Sequence, residues 1–295
     1  MSALKDHPST VLAFHAELDT LEGPLPDVSS HDQTHYSTFL NSRPQHLEVN
    51  AISLITQLQT NHFPSSRCHI VHLSAASALP IIRKAKAEGA KLTVETCFHY
   101  LCLSSDEIPD GKPEFKCCPP IRDNANRESL WEALRDGTID FVVSDHSPCV
   151  ADLKKLDEGD IMSAWGGIST LGLGLSLLWT ESQKSQKSVG LSQIVKWTST
   201  AAAEHAGLDA TKGAIKVGAD ADIVFWDPEA EFQVKLTKPC FFTRYIRLLV
   251  RPALGDARVA SVQEQVVTLS GVHTQGAGST SLSPGKTGLR QGQGF

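Results

Sequence analysis

Three residues combine suitable side chains with suitable placement to hold a metal ion and activate a water molecule. His15 ends the apolar run 10–15, His72 lies in Cys68-His-Ile-Val-His-Leu73, and Asp145 follows 139–144 in Val-Val-Ser-Asp-His-Ser-Pro. Imidazole and carboxylate ligands suit zinc and similar borderline metals. A metal held between strand ends lowers the pKa of its bound water towards about 7. A nearby carboxylate can then take the proton and pass it to a leaving nitrogen, and Asp145 is the candidate for that shuttle. A strand-end histidine can equally be a satisfied core residue, and on spacing alone both readings stand.

These residues need a scaffold that brings strand ends together. Apolar runs at 10–15, 68–73, 91–96 and 139–144 read as buried strands. Between them, 43–59 carries Leu47, Ala51, Leu54, Ile55 and Leu58 at helical spacing, and 75–88 is a second helix with Gly89 placed to stop it. The stretch between the first strand and about Ser42 is polar and rich in Pro and His, and reads as a loop. Asn124 is placed to cap a helix carrying Leu130, Trp131 and Leu134 that stops at Gly137. Further helical stretches follow near 167–180 and 191–206. Strand–helix alternation predicts an α/β fold with a parallel sheet of right-handed βα units. His15, His72, Glu95 and Asp145 then lie at strand C-terminal ends, where barrels of this kind carry their active sites.

The pattern changes at Gly213. Gly213-Ala-Ile-Lys-Val-Gly-Ala-Asp-Ala-Asp-Ile-Val-Phe-Trp-Asp-Pro228 reads as a turn and a short strand of a small β-domain. The chain divides into 1–212, 213–237 and 238–295, the last rich in Gly, Ser, Thr and Gln from 271 and expected to be partly disordered. Phe241-Phe-Thr-Arg-Tyr-Ile-Arg-Leu-Leu-Val250 is apolar and basic, compatible with a strand or a helix.

Bulk properties narrow the function. The net charge of −6 with mixed signs gives no reason to expect nucleic acid or a membrane surface as a partner. The seven cysteines, irregularly spaced and without a CxxC pair, argue against a disulfide framework or a thiolate zinc site and for a reducing compartment. No P-loop, strand-linked GxGxxG or GxSxG elbow is present. Cys117 and Cys118 read as buried, unreactive thiols. His31 and His35 read as loop residues, and Lys116 as an exposed loop lysine.

Longer motifs sharpen this. Phe14-His-Ala-Glu-Leu18, Ser42-Arg-Pro44, Glu95-Thr-Cys-Phe-His-Tyr100, Phe115-Lys-Cys-Cys-Pro-Pro-Ile-Arg-Asp123, Val143-Ser-Asp-His-Ser-Pro-Cys149, Ala164-Trp-Gly-Gly-Ile168 and the stretch 213–228 occur in that order. Together they resemble the cyclic amidohydrolases (dihydroorotase, dihydropyrimidinase or hydantoinase, and allantoinase), and the allantoinase branch most closely, from about Thr10 to Val234. The resemblance implies a (β/α)8 TIM barrel, of which this chain holds about strands five to eight, plus part of a small β-sandwich domain. It implies two divalent metal ions, zinc being expected. His15 matches the ligand after strand five, His72 the ligand after strand six, and Asp145 the ligand and acid/base after strand eight. Cys117, Pro120, Arg122 and Ser147 match substrate-side positions. The implied reaction opens a cyclic amide at a C–N bond, allantoin becoming allantoate, in a homotetramer. The expected compartment is the cytoplasm, with mitochondria or peroxisomes for a longer parent form.

The family also carries a His-x-His pair after strand one and a carboxylated lysine after strand four. No two of the twelve histidines are separated by a single residue. The expectation is therefore a truncated barrel with impaired metal binding. Two alternatives stay open: a non-catalytic truncated isoform or fragment, and an enzyme of dihydropyrimidinase or hydantoinase type.

Overall fold

A computed structural model describes residues 1, 7, 9–19, 25–184 and 189–232, together with three two-residue strands further on. Its elements begin with β1 (Val11–Phe14), α1 (Tyr36–Ser42), α2 (His46–His62), β2 (Arg67–Ile70), α3 (Leu79–Ala87), β3 (Leu92–Cys97) and α4 (Phe98–Cys102). They continue with α5 (Asn124–Asp136), β4 (Phe141–Val143) and α6 (Ala151–Lys154). The four strands form one parallel sheet in the order β1-β2-β3-β4. The α/β class and the parallel sheet expected from the alternation are what the chain adopts.

The sheet explains the apolar runs. In β2 and β3, residues on both faces are largely buried, as a parallel sheet covered by helices requires. Ile70 and Val94 of the sheet, Ile52 of α2, Ile82 of α3 and Leu130 of α5 are all essentially inaccessible. Helix α2 buries Leu47, Ala51, Ile52 and Ile55 along one side. Helix α5 ends at Gly137, whose φ of +82° supplies the left-handed residue that favours glycine.

Three local expectations are corrected. The stretch before Ser42 contains α1, because Tyr36 and Phe39, three apart on a helix, turn inward together. The Tyr36 hydroxyl also bridges the backbone at Ile121, donating to its carbonyl (3.1 Å) and accepting from its N–H (2.8 Å). The cap of α5 is Asp123 rather than Asn124, its carboxylate accepting from the Asn126 N–H at 2.8 Å. Lys116 is buried, its Nζ donating to the Met162 carbonyl at 2.7 Å and lying 5.2 Å from the Phe39 ring centre.

The described residues fall into two compact units, one up to Ser169 and the other from Thr170. The second contains α7 (Gly174–Lys184), α8 (Leu191–Val195) and α9 (Ala201–Ala206), with one wider π-type turn at Lys196–Thr200 joining the last two. The helix expected from 167 starts at Gly174 instead, since 165–168 is held as a loop in the first unit. The stretch 213–228 is turn and coil with a single bridge residue at Ile223, and β5 (Glu231–Phe232) follows. β5 pairs antiparallel with β6 (Val259–Ala260), and β7 (Thr280–Ser281) with β8 (Arg290–Gln291). Apart from those strands, the tail 238–295 and the apolar stretch 241–250 lie outside the described residues. Among the described residues no helix is long and apolar enough to cross a membrane.

Candidate metal and substrate site

Parallel strands deliver their following residues to one end of the sheet, and that end gathers the expected ligands. His15 leaves β1 and His72 leaves the end of β2, the latter with φ +42°. His15 Nδ1 lies 3.0 Å from His72 Nε2, and the rings meet edge to face at 4.7 Å. Two nitrogens on one tetrahedral zinc ion, each about 2.05 Å from it, stand about 3.3 Å apart. At 3.0 Å the two nitrogens are within hydrogen-bond distance, a separation close to that of two ligands of one ion.

The chain fixes which His15 nitrogen faces His72. His15 Nε2 donates to Glu17 Oε2 at 2.8 Å, leaving Nδ1 as the lone-pair nitrogen. Glu17 is itself held by the Arg43 guanidinium. Burial opposes ionising Glu17, but the His15 hydrogen bond and the charge and hydrogen bond of Arg43 outweigh it, and its carboxyl sits below the usual range. A carboxylate behind a ligating histidine is the arrangement that orients such ligands. Sequence reasoning did not single out Glu17. The signal was present: in extended chain, residues two apart share a side.

His72 is buried, and burial, followed by its His15 neighbour, lowers its pKa against the opposing pull of Asp145 and Glu95. Its Nδ1 is buried without a hydrogen-bond partner. Close electrostatic company comes from His99, whose ring is fully buried, unpartnered at both nitrogens and pushed down by that burial to about 3. Glu95 lies within β3 and pairs with His69 at 3.2 Å, with His69 stacked on Phe141.

Asp145 follows β4 and also has a positive φ, +43°. His72 and Asp145 thus both enter the left-handed region just after their strands, β2 and β4, a conformation that histidine and aspartate adopt more readily than most residues. Ser147 turns back on it, its hydroxyl donating to the Asp145 carbonyl at 3.0 Å. Among the described residues no group of three His, Cys, Asp or Glu side chains is arranged to hold a metal ion. The residues present thus fit one edge of a metal site, the His15–His72 pair, and not a complete one.

The expected substrate-side residues form a connected set of loops. Pro120 accepts the Ser74 hydroxyl through its carbonyl at 2.6 Å. Cys117 is buried, and burial pushes its thiol up. The Arg122 side chain is committed elsewhere: it is buried and donates to Glu48 Oε2 at 2.8 Å and to the Arg43 carbonyl at 3.2 Å. The guanidinium is thus engaged within the protein. The loop 165–168 lies against Ser147, whose hydroxyl accepts from the Ile168 N–H at 3.1 Å while its own N–H donates to the Ile168 carbonyl at 3.0 Å. A Cβ on Gly167 would stand 2.4 Å from the Ser147 carbonyl oxygen, so only glycine allows this approach. Gly167→Ala is expected to cost about 1–3 kcal/mol as an overpacked contact between two backbones. Thermal unfolding of the purified variant checks this, and an unchanged melting temperature contradicts it.

The amidohydrolase family description matches residues 31–266. An allantoinase from Saccharomyces cerevisiae is 46% identical over 76% of this chain and 48% of its own length. A mitochondrial allantoinase from Aquarana catesbeiana is 50% identical over 70% of this chain and 42% of its own. In structure, the L-hydantoinase (dihydropyrimidinase) from Arthrobacter aurescens superposes with a TM-score of 0.70 at 26% identity, covering 80% of this chain and 51% of that one. The chain spans about half the length of the curated relatives it matches.

Proposed function

The chain belongs to the amidohydrolase family, and on that premise we propose that it carries the second half of an allantoinase-type site, acting on the C–N bond of a cyclic amide. The observation that carries this reading is the His15–His72 pair, spaced as ligands of one ion at the ends of adjacent parallel strands. In this reading the sheet is about strands five to eight of a TIM barrel, 213–237 belongs to a small β-domain, and 238–295 is a divergent tail. The substrate is allantoin and the product allantoate. The likeness to allantoinases at 46–50% identity favours allantoin over a dihydropyrimidine or hydantoin.

Two divalent ions, zinc by the chemistry of the donors, would supply the activated water of a complete site. The donors of this chain fill only part of such a site, so no step is derived through the ions. The chain's own contribution is narrower. His15 and His72 present nitrogens, with Glu17 fixing the His15 tautomer. Asp145 holds and moves a proton between the attacking water and the departing ring nitrogen. Ser147 and the backbone of 117–122 hold the ring amide. A homotetramer and a cytoplasmic setting, or a mitochondrial or peroxisomal one for a longer parent, complete the proposal.

A non-catalytic role is the second reading, favoured by the absence of a three-residue metal group among the described residues. One experiment separates the readings. The purified chain is supplemented with zinc, its metal content is recorded, and turnover of allantoin and dihydrouracil is compared for the chain and Asp145→Asn. Wherever the chain turns over allantoin, Asp145→Asn is expected to lower the rate at least about a hundredfold, in line with loss of a general acid–base. A folded sample without turnover assigns the chain to the non-catalytic reading. A clear preference for dihydrouracil assigns it to the hydantoinase type.

A further inference from the structure

Lys154 closes α6 and is 2% exposed, among the largest fully buried side chains of the chain. An ammonium group has three N–H donors, and here each has a carbonyl. Nζ donates to Lys116 at 3.0 Å, to Trp165 at 2.9 Å and to Gly167 at 2.7 Å. A methionine would fill such a volume at far smaller desolvation cost, so packing alone does not account for a charge there.

The three carbonyls belong to two loops that carry the substrate-side positions. Lys116 leads directly into Cys117 and on to Pro120 and Arg122. Trp165 and Gly167 flank Gly166, where a Cβ would stand 2.9 Å from Cys118 Sγ. The Gly167 N–H donates to the same Lys116 carbonyl at 2.9 Å, and Ile168 exchanges hydrogen bonds with Ser147. Lys154 thus lies under the junction of both loops and, through Ile168, of the turn after Asp145.

We propose that Lys154 is the positioning residue of the substrate pocket, its ammonium clamping the loops 116–122 and 165–168 in one arrangement that sets substrate affinity. This rests on the reading of those loops as substrate-bearing. Lys154 itself touches no reacting atom. Replacing it by an apolar residue takes this donor from the Trp165 and Gly167 carbonyls and leaves the Gly167 N–H to Lys116 carbonyl bond as the remaining backbone link between the loops, which loosens their junction. A second property is consistent with the clamp. Burial pushes Lys154 down to about 8; Cys117, Cys149 and Glu114 pull it upward and Lys116 pushes it further down. Above that pH a neutral amine retains two donors for three carbonyls, so the clamp weakens.

The test uses the full chain and the variants Lys154→Met and Lys154→Arg. Alkylation of Cys118 by iodoacetamide, followed by peptide mass spectrometry, reports how closely 165–168 covers that thiol. At about pH 7, K154M is expected to label at least about tenfold faster than wild type with its circular dichroism retained, and K154R, which keeps charge and donors, within about threefold. Equal labelling of folded K154M and wild type overturns the proposal. Where K154M does not fold, the wild-type rate relative to K154R is followed from about pH 7 to about pH 9. A rise of about threefold or more supports the clamp, and a flat ratio overturns it. With allantoin turnover in hand, K154M is expected to raise KM at least about fivefold and change kcat less, whereas a fall in kcat at constant KM overturns the positioning role. A folded wild type without turnover overturns the functional reading alone, and the labelling still decides the clamp.

Discussion

Glu48→Ala is expected to lower the unfolding free energy by about 3–5 kcal/mol, the cost of leaving one partner of a buried ion pair alone. Glu48 is 2% exposed and Arg122 5%. One carboxylate oxygen accepts Arg122 at 2.8 Å, and the other accepts the N–H groups of Ser74 (2.9 Å) and Ala75 (3.0 Å). Burial pushes the Glu48 carboxyl up, and Arg122 and the two N–H groups pull it partway back. Losing the carboxylate strands a guanidinium whose Nε already lacks a partner, and it frees two backbone donors after β2. Against a total stability of about 5–15 kcal/mol, such a loss is a large share. Urea denaturation of the purified chain measures it. The double variant Glu48→Leu with Arg122→Met is expected to recover most of the loss, because apolar replacement of both partners removes the stranded charge. A single-variant loss below about 1 kcal/mol contradicts the assignment, being the value of an exposed pair.

The second large effect concerns the histidine pair. His15 Nδ1 and His72 Nε2 stand 3.0 Å apart, and as the proposed ligands of one ion each would carry a large part of its affinity. His72→Ala is expected to weaken zinc binding by at least about a hundredfold, equivalent to about 2.8 kcal/mol. Glu17→Gln is expected to weaken it by about 10–100-fold, since it changes the orientation and tautomer of His15 without removing a ligand. Competition against a chromophoric zinc chelator gives both values on one sample. Zinc affinity unchanged in His72→Ala would falsify the assignment of the pair as ligands. An effect of Glu17→Gln equal to that of His72→Ala would instead make Glu17 a ligand in its own right.

Glu48 in the first prediction and Glu17 in the second stood out weakly in the sequence, unlike His15 and His72. Glu48 sits among Leu47, Ala51, Ile52 and Ile55, and a carboxylate on an apolar stripe is the only local clue that it is buried. Its partner Arg122 lies in another motif 74 residues away. Nothing local foretells that the Arg122 side chain is consumed by this pair while its loop remains a candidate for ligand contact. Lys154 is the stronger case. It lies in the mixed stretch Val150-Ala-Asp-Leu-Lys-Lys-Leu156, where nothing marks it apart from Lys155, and it is buried with its ammonium bonded to the loops at Lys116 and at Trp165–Gly167.

The sequence by itself determined the parallel α/β class, the four strands and the placement of His15, His72 and Asp145 after strands. Apolar runs spaced by amphipathic helices admit few other arrangements, and strand period and turn residues are local properties. The ordered motifs added the family. Only the tertiary structure decided that α1 forms, because a seven-residue helix is stable there through the packing of Tyr36 and Phe39 and not through propensity. It alone decided that His15 and His72 meet nitrogen to nitrogen, that Glu17 stands behind them, and that Lys116 and Lys154 are interior. Those facts depend on contacts between distant segments, and desolvation and hydrogen-bond satisfaction act on atoms that become neighbours only when the chain has folded.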